Sequence, residues 1–223
     1  MELSDWNSAA ASWTDYVRSG GDARWEAHAA ALAELLPPPS GLTLDVGCGE
    51  GRLTRDLRAR GYDVIGFDAT PALVEAAQRA DVQGAYAVAD IRSLPVADGR
   101  AALLICINVL EHVEDLDAAL AEIARVLRPD GLLVAGIVHP IAEVGEYDRG
   151  RDGLFVRGYF DQEVRPVPLG LVEVVHYHRT IESYVRALSD AGLALDALRE
   201  VPGKSGSVPL YLDLRARPLG SLG

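Results

Sequence analysis

The chain has 223 residues, of which 49% are hydrophobic and 24% charged, and it carries 2 cysteines and a net charge of -12 at neutral pH. A chain of this length and composition builds a globular core without needing a disulfide or a structural metal, and its acidity excludes a broad electropositive surface for nucleic acid. Because the first residues lack a signal peptide and no segment is apolar enough to span a bilayer, we expect a cytoplasmic monomer or homodimer with no membrane partner.

The predicted elements begin with a helical segment within residues 1–40, which ends at the consecutive prolines 37–39. Beyond the prolines, short apolar runs alternate with amphipathic segments of helical period. Strands are predicted at 42–46, 63–67, 85–89, 102–107 and 132–138, helices at 52–60, 70–80 and 117–127, and a turn at 128–131. Alternation of strands and helices predicts parallel strands joined by right-handed crossovers.

The pattern changes after Pro140. Residues 141–178 are rich in glycine, charge and aromatic side chains, and we interpret them as an inserted cap. A helix and two strands that should pair antiparallel complete the chain, at 180–191, 193–200 and 208–216. Since no repeat or low-complexity linker interrupts the chain, we expect a single domain over 1–223, with a helical lid at 1–40 and the cap over its substrate site.

A glycine-rich turn joins the first strand to its helix. The stretch LDVGCGEGR, residues 44–52, places glycines at alternate positions from Gly47. Glycine adopts backbone angles forbidden to other residues and leaves no side chain between the backbone and a ligand. The helix that follows presents unpaired N–H groups and a partial positive charge. The turn therefore predicts a ligand at the carboxyl edge of the sheet.

The residues around this turn discriminate between ligands. A dinucleotide fingerprint needs a glycine at position 52, where the chain has Arg52. Asp68 ends the second strand, 68 − 49 = 19 residues after Gly49, close to the roughly 20 that separate such a turn from a ribose-binding carboxylate. The pattern therefore favours a nucleoside over a pyrophosphate.

Five segments, in this order along the chain, resemble the motifs of the class I S-adenosylmethionine-dependent methyltransferases. They are LDVGCGEGR, VIGFDAT, AVADIRSLP, ICINVLEHVED and EIARVLRPDGLLVAGIVHP. A later pattern, HRT…Y…L..AG, is similar to the methyltransferase-11-like group that modifies small molecules. The chain departs from the family in lacking an aspartate at the start of the fourth strand and in having RPDG where the family usually has RPGG.

The resemblance implies a Rossmann-like α/β fold, with a mostly parallel seven-stranded sheet, one antiparallel strand and helices on both faces. It implies S-adenosylmethionine as cofactor and a small-molecule acceptor methylated on O, N or C, with secondary metabolism as one expected context. Asp45 would bind the cofactor's ammonium group, Asp68 both ribose hydroxyls, and Asp90 the adenine amino group. The cofactor residues implied are Tyr16, Asp45, Gly47, Cys48, Gly49, Asp68, Ala69, Asp90, Ile91, Asn108 and Val109.

Catalytic and acceptor-binding residues are less clearly indicated. Histidine is the natural base near neutral pH, and His112 and His139 follow strands that end beside the cofactor; a packing role is the alternative for each. The acceptor pocket is expected to include Trp13, Tyr147, Tyr159, Phe160 and His178, although these side chains could instead pack among themselves. No metal is expected, and His28 is expected on a helix surface.

Three other functions remain open from the sequence. The cofactor could have a structural role in a non-methylating reaction, the substrate could be RNA or protein, or the enzyme could be a nicotinamide oxidoreductase. Detection of S-adenosylhomocysteine with a methylated product separates the first from methyl transfer. A basic stripe on the cap would favour RNA, and binding of a nicotinamide cofactor in place of S-adenosylmethionine would support the third.

Overall fold

A seven-stranded sheet organises the computed structural model, which describes residues 6–20, 24–148, 153–169, 172–203 and 208–221. The strands of this sheet and of two separate hairpins are β1 (Leu42–Val46), β2 (Asp63–Asp68), β3 (Ala85–Val88), β4 (Ala101–Ile107), β5 (Leu127–Val138), β6 (Gly145–Asp148), β7 (Gly153–Val156), β8 (Val164–Leu169), β9 (Val172–Tyr177), β10 (Leu193–Pro202) and β11 (Pro209–Pro218). The helices are α1 (Trp6–Arg18), α2 (Arg24–Leu35), α3 (Arg52–Ala59), α4 (Pro71–Ala80), α5 (Leu116–Val126), α6 (Pro140–Val144) and α7 (Ile181–Asp190), with short 3-10 turns at Leu110–His112 and Leu219–Ser221.

The sheet has the strand order β3-β2-β1-β4-β5-β11-β10. All neighbouring strands are parallel except β11, which runs antiparallel to both β5 and β10. The predicted Rossmann-like sheet with one antiparallel strand is therefore confirmed. The direction in which successive strands are added to the sheet reverses between β1 and β4. A reversal of this kind opens a crevice at the carboxyl edge of a sheet, where ligands bind.

The central strand β4 is apolar throughout because helices cover both of its faces. Leu104 packs in a cluster with residues of α5 and α7, whereas Leu103 and Ile105 pack in a second cluster with residues of α2 and α3. Successive side chains of a strand point to opposite faces, so the run ALLICI is buried on both sides, as parallel sheets generally are. This core holds the carboxyl ends of β1 and β4 rigidly beside each other.

The predicted turn at 128–131 lies inside β5, which begins at Leu127. Leu127 still pairs with Ala101 of β4, and the register then shifts before the next pair. Gly131 has the carbonyl oxygen of Ala101 only 2.8 Å from the position of an added Cβ. The turn is therefore an irregularity within a continuous strand, and the two backbones approach closely there.

Two elements cover the carboxyl edge of the sheet. Helix α1 packs against α4 and β9, and β9 also contacts the turn Leu110–His112. Arg18 of α1 donates to a carboxylate oxygen of Glu50 and to the carbonyl of Ala76, each at 3.3 Å. Helix α1 is thereby attached to the glycine-rich turn. In the described part of the chain, none of the helices has the length and apolarity to cross a membrane.

Candidate active site

A cavity of about 720 Å³ lies at the carboxyl ends of β1, β2 and β4. Its volume is within the range of about 300–1,000 Å³ that is usual for small-molecule and cofactor sites. The residues following these strands line it together with side chains from α1, α2, β9 and the turn after β4. Because these residues line one cavity, two ligands bound within it can be adjacent.

The glycine-rich turn forms the base of the cavity. Both Gly47 and Gly49 have positive φ angles, 78° and 56°. A Cβ on Gly47 would lie 2.2 Å from a methyl carbon of Val109, whereas a Cβ on Gly49 would meet no atom within 4 Å. Gly47 is therefore required by packing against Val109, and Gly49 is the position where the backbone is open to a ligand.

Asp68 lies at the end of β2 and holds the turn in place. One of its carboxylate oxygens accepts the Gly49 N–H at 2.9 Å, and the other accepts the Thr70 N–H at 2.8 Å. The side chain is buried but lines the cavity, and burial raises its pKa while these backbone bonds oppose the rise. Each oxygen has a second lone pair, so Asp68 can also accept two ligand hydroxyls.

Asp45 is the most deeply buried acid in the cavity wall. It is 2% exposed, and one oxygen accepts the Thr54 hydroxyl at 2.5 Å. Burial raises the pKa of Asp45 to about 7, the Thr54 bond opposes this shift, and the charge of Asp68 adds to it. An ammonium group in the cavity would stabilise the ionised carboxylate.

This pKa predicts a pH-dependent cofactor affinity. Because an ammonium group binds the ionised form of Asp45, protons compete with the ligand, so affinity should fall as pH decreases from about 8 to about 5.5, approaching tenfold per unit below the pKa. Calorimetric titration with S-adenosylmethionine across this range measures it. Asp45→Asn should bind more weakly and nearly independently of pH; an unchanged pH dependence in that variant would assign the effect to another group.

Asp90 follows β3 and is held by a residue that the sequence reasoning did not identify. Arg92 donates to both carboxylate oxygens, at 2.9 and 2.6 Å, and its backbone N–H donates at 2.8 Å. These hydrogen bonds lower the pKa of Asp90. The pair lines the cavity, so the carboxylate that was predicted to meet adenine is ionised and fixed in orientation.

Asn108 directly follows β4 and has an unusual backbone. It is the non-glycine residue with positive φ, 55°, in the described part of the chain, and its N–H donates to the Gly136 carbonyl at 2.7 Å. Asparagine tolerates this conformation better than most residues. Its Oδ1 is buried without a hydrogen-bond partner among the described residues. Strain and an unpaired polar atom coincide beside the cavity, as they often do at functional sites.

The predicted cofactor residues largely converge. Those that line the cavity are Asp45, Gly47, Cys48, Gly49, Asp68, Ala69, Asp90, Ile91, Asn108 and Val109. Tyr16 is not among them, and its ring packs on Trp13 at 5.7 Å between centroids. Trp13 itself lines the cavity, so helix α1 contributes this neighbouring aromatic residue rather than Tyr16.

The two predicted catalytic histidines differ in position. His112 lines the cavity, and its Nδ1 lies 2.9 Å from the Val175 carbonyl of β9. Because a carbonyl oxygen only accepts, Nδ1 is the donor, and the neutral ring carries its lone pair on Nε2. Its ring also contacts those of Trp6 and His176 edge to face. His112 thus connects β9 to the wall of the cavity.

His139 does not reach the cavity. It is fully buried, its Nδ1 accepts the Ile141 N–H at 3.1 Å, and its Nε2 lies 3.2 Å from a carboxylate oxygen of Glu200. The lone pair on Nδ1 is therefore used by the backbone, and Nε2 is the donor. Burial lowers the pKa of His139, against the effect of Glu200. This geometry corrects the expectation of a catalytic base and fits a residue that caps α6.

His139→Ala should therefore affect stability rather than catalysis. Loss of the buried ring and of the cap should lower the free energy of unfolding by about 2 kcal/mol. Chemical denaturation measures this change, and calorimetry should find S-adenosylmethionine affinity preserved. A large loss of turnover in a variant of normal stability would restore His139 as a catalytic group.

The predicted acceptor residues of the cap are mostly elsewhere. Among the described residues, Tyr159, Phe160 and His178 do not line the cavity. Both ring nitrogens of His178 are bonded, Nδ1 to Glu143 and Nε2 to the Tyr159 carbonyl, and Phe160 is 81% exposed. The loop between β7 and β8 is thus held by His178 through the Tyr159 carbonyl. The side chain of Tyr147 lies outside the described residues.

Other residues that the sequence did not predict also line the cavity. They are Trp6, Asn7, Val17, His28, Val113, Glu114 and Val175. The expectation for His28 was wrong, because α2 packs on β11 and buries this side chain completely. Trp6 could have been predicted to line the cavity because it precedes the sheet on the same N-terminal helical segment as Trp13. No local sequence pattern predicts that Val175 lines the cavity. In the described part of the chain, no group of three or more His, Cys, Asp or Glu side chains could hold a metal ion.

Comparisons with known proteins show which family the chain resembles. The profile of a family described as a methyltransferase domain matches residues 44–135. The chain is 34% identical over 157 residues to a demethylmenaquinone methyltransferase of Thermus thermophilus, which covers 69% of this chain and 68% of that protein. It is 38% identical over 98 residues to a malonyl-[acyl-carrier protein] O-methyltransferase of Serratia marcescens. That alignment covers 43% of this chain and 38% of the longer relative. A solved S-adenosylmethionine-dependent methyltransferase of Mesorhizobium loti superposes with a TM-score of 0.77 at 26% identity, covering 86% of this chain and 97% of that one.

Proposed function

This chain belongs to the class I S-adenosylmethionine-dependent methyltransferase family, and we propose that it transfers the cofactor's methyl group to a small organic acceptor, on O, N or C. The observation that carries the proposal is the continuity of the cavity. Its one part is bounded by Gly49, Asp68 and Asp90, and its other part by Trp6 and further apolar or aromatic side chains. A methyl donor and an acceptor can therefore occupy adjoining spaces.

The lining charges suit a cofactor without phosphate. Acidic side chains dominate the wall of the cavity, namely Asp45, Glu50, Asp68, Asp90 and Glu114, against the basic Arg52 and Arg92. Carboxylates repel a pyrophosphate and attract an ammonium or sulfonium group. This balance supports S-adenosylmethionine and argues against a nicotinamide dinucleotide.

Each part of the cofactor has a proposed partner. Asp45 takes the ammonium group, the open backbone at Gly49 takes the amino-acid tail, and Asp68 takes both ribose hydroxyls through charge-assisted bonds. Asp90 takes the adenine amino group, with Ile91 beside it. Asn108 and Val109 then lie where the tail passes β4, next to the acceptor part.

The acceptor part of the cavity supports a small molecule. Helix α1 and strand β9 cover it, with Trp13, Val17 and Val175 contributing side chains. Methyl transfer is an in-line displacement at a carbon that is already electrophilic, so the protein mainly has to align the two reactants and exclude water. The hydrogen bond between His112 and the Val175 carbonyl holds β9 over this part of the cavity and places His112 in contact with the acceptor.

Mass spectrometry tests the proposal. The purified protein is incubated with S-adenosylmethionine and pools of small phenols, amines, carboxylic acids and quinols, with Asp68→Ala as the matched control. We expect S-adenosylhomocysteine and a singly methylated product from one pool with the wild type, and much less from the variant. Conversion of an acceptor without S-adenosylhomocysteine would instead support the structural-cofactor alternative.

A further inference from the structure

A buried histidine and aspartate meet beside the acceptor part of the cavity. His28 of α2 and Asp213 of β11 are both 0% exposed, and Nδ1 of His28 lies 2.6 Å from Oδ1 of Asp213. The Tyr211 ring packs on the imidazole, 4.4 Å between centroids. His28 is also one of the residues that line the cavity. The pair thus joins the sheet core to the site.

The strand beneath the pair leaves space for it. An added Cβ on Gly136 of β5 would lie 2.5 Å from Oδ1 of Asp213 and 3.2 Å from Cε1 of His28. The Gly136 carbonyl accepts the N–H of Asn108, the strained residue in the cavity wall. The absence of a side chain at Gly136 therefore lets the pair lie directly beside the end of β4.

The second ring nitrogen of His28 has no partner. Its Nε2 is buried and unpaired among the described residues, as is Oδ1 of Asn108 in the same cavity wall. A buried polar atom without a hydrogen bond destabilises the folded state, so each such atom in a folded protein calls for a reason, catalysis being one. A polar group of a bound acceptor would supply the missing bond once the side chains that enclose Nε2 move aside to admit it.

We infer that His28, oriented by Asp213, accepts the proton of the acceptor during methyl transfer, so the acceptor presents an ionisable O–H or N–H group. This inference rests on the proposed methyl transfer. The acceptor oxygen or nitrogen attacks the methyl carbon, the carbon–sulfur bond breaks, and its electron pair stays on sulfur to give S-adenosylhomocysteine. The acceptor proton moves to Nε2 of His28, and the proton leaves to solvent after product release.

His28 suits this role better than His112 because their partners differ. His112 donates from Nδ1 to the neutral carbonyl of Val175, whereas His28 has the carboxylate of Asp213 at the same ring position. A carboxylate fixes the tautomer with the lone pair on Nε2 and stabilises the imidazolium that proton transfer produces. Asp213 is accordingly a positioning residue, and His28 is the catalytic one.

Nitrogen NMR of the protein labelled with ¹⁵N-histidine tests the pair directly. The S-adenosylhomocysteine complex is titrated with phenol, which carries an O–H group, and with anisole, in which a methyl replaces it. We expect the Nε2 resonance of His28 to shift with phenol but not with anisole. No shift at saturating phenol, or equal shifts with both compounds, would overturn the inference.

Variants separate positioning from folding. His28→Asn keeps an amide N–H for Asp213 but removes Nε2, and Asp213→Asn keeps the shape but not the charge. With the acceptor from the mass-spectrometric screen, each should lower kcat about 100-fold while S-adenosylmethionine affinity stays near that of the wild type. A lowered kcat with an unchanged cofactor affinity in a variant of normal stability is a result that a merely structural role would not produce.

A control and the cofactor titration distinguish the two ways of failing. His139→Asn removes another fully buried histidine outside the cavity, and it should leave the phenol response of His28 unchanged. If the wild type does not bind S-adenosylmethionine, the proposed function fails. If it binds the cofactor and transfers methyl groups but His28→Asn retains full kcat, the inference about His28 fails alone.

Discussion

Replacing Asp68 with alanine is expected to weaken S-adenosylmethionine binding by about 2 kcal/mol or more, roughly 30-fold in Kd. Two effects add in the same direction. The ribose loses its charge-assisted acceptor, and the backbone N–H groups of Gly49 and Thr70 lose the carboxylate that holds the turn. Calorimetry with purified variant and wild type measures the change.

Two comparison variants make this result interpretable. Asp63 lies at the exposed start of the same strand, so Asp63→Ala should leave cofactor affinity unchanged. Asp90 is already paired with Arg92 and partly exposed, so Asp90→Ala should weaken binding less than Asp68→Ala. An Asp68→Ala protein that binds with wild-type affinity would remove the ribose assignment.

Alanine at the two glycines of the turn is expected to produce different defects. At Gly47 the new methyl group would collide with Val109 at 2.2 Å on a positive-φ backbone, so the free energy of unfolding should fall by about 3 kcal/mol. At Gly49 the new methyl group meets open space, so only the left-handed backbone cost of about 1 kcal/mol applies. The same methyl group should obstruct the cofactor and weaken its binding about tenfold or more.

Denaturation and calorimetry on the same four proteins test this contrast. They are the wild type, Gly47→Ala, Gly49→Ala and the double variant Gly47→Ala with Val109→Ala. Removing the Val109 branches relieves the collision, so the double variant should recover part of the lost stability, a coupling that is expected only between residues in contact. Equal stability of the two single variants would contradict the packing role of Gly47.

Much of the sheet was predictable because its signals are local. The apolar run 42–46 is bounded by glycine and ends in a turn, and the structure places β1 at Leu42–Val46. Asp68 was predicted from its spacing to Gly49, because a strand–turn–helix unit brings those two positions to the same edge whatever the rest of the chain does. In the structure, the Gly49 N–H donates a hydrogen bond to the Asp68 carboxylate, so the two positions do lie side by side.

The acceptor side was less predictable because its contacts join distant parts of the chain. His28 and Asp213 are 185 residues apart. The sequence around each residue contains no pattern that predicts their contact. His139 was misassigned for the opposite reason: it follows a strand at the correct edge, but a local turn uses its lone pair through Ile141. Position at the sheet edge therefore predicted which residues line the cavity, but it did not predict the hydrogen bonds of His139 or the pairing of His28 with Asp213.

The structure of the complex with S-adenosylhomocysteine is the most direct test of this account. We predict both ribose hydroxyls within hydrogen-bond distance of the Asp68 carboxylate, the amino-acid tail along Gly49, and the sulfur directed towards the space beside His28 and His112. Adenosine bound with its ribose away from Asp68, or a sulfur that faces away from that space, would contradict it.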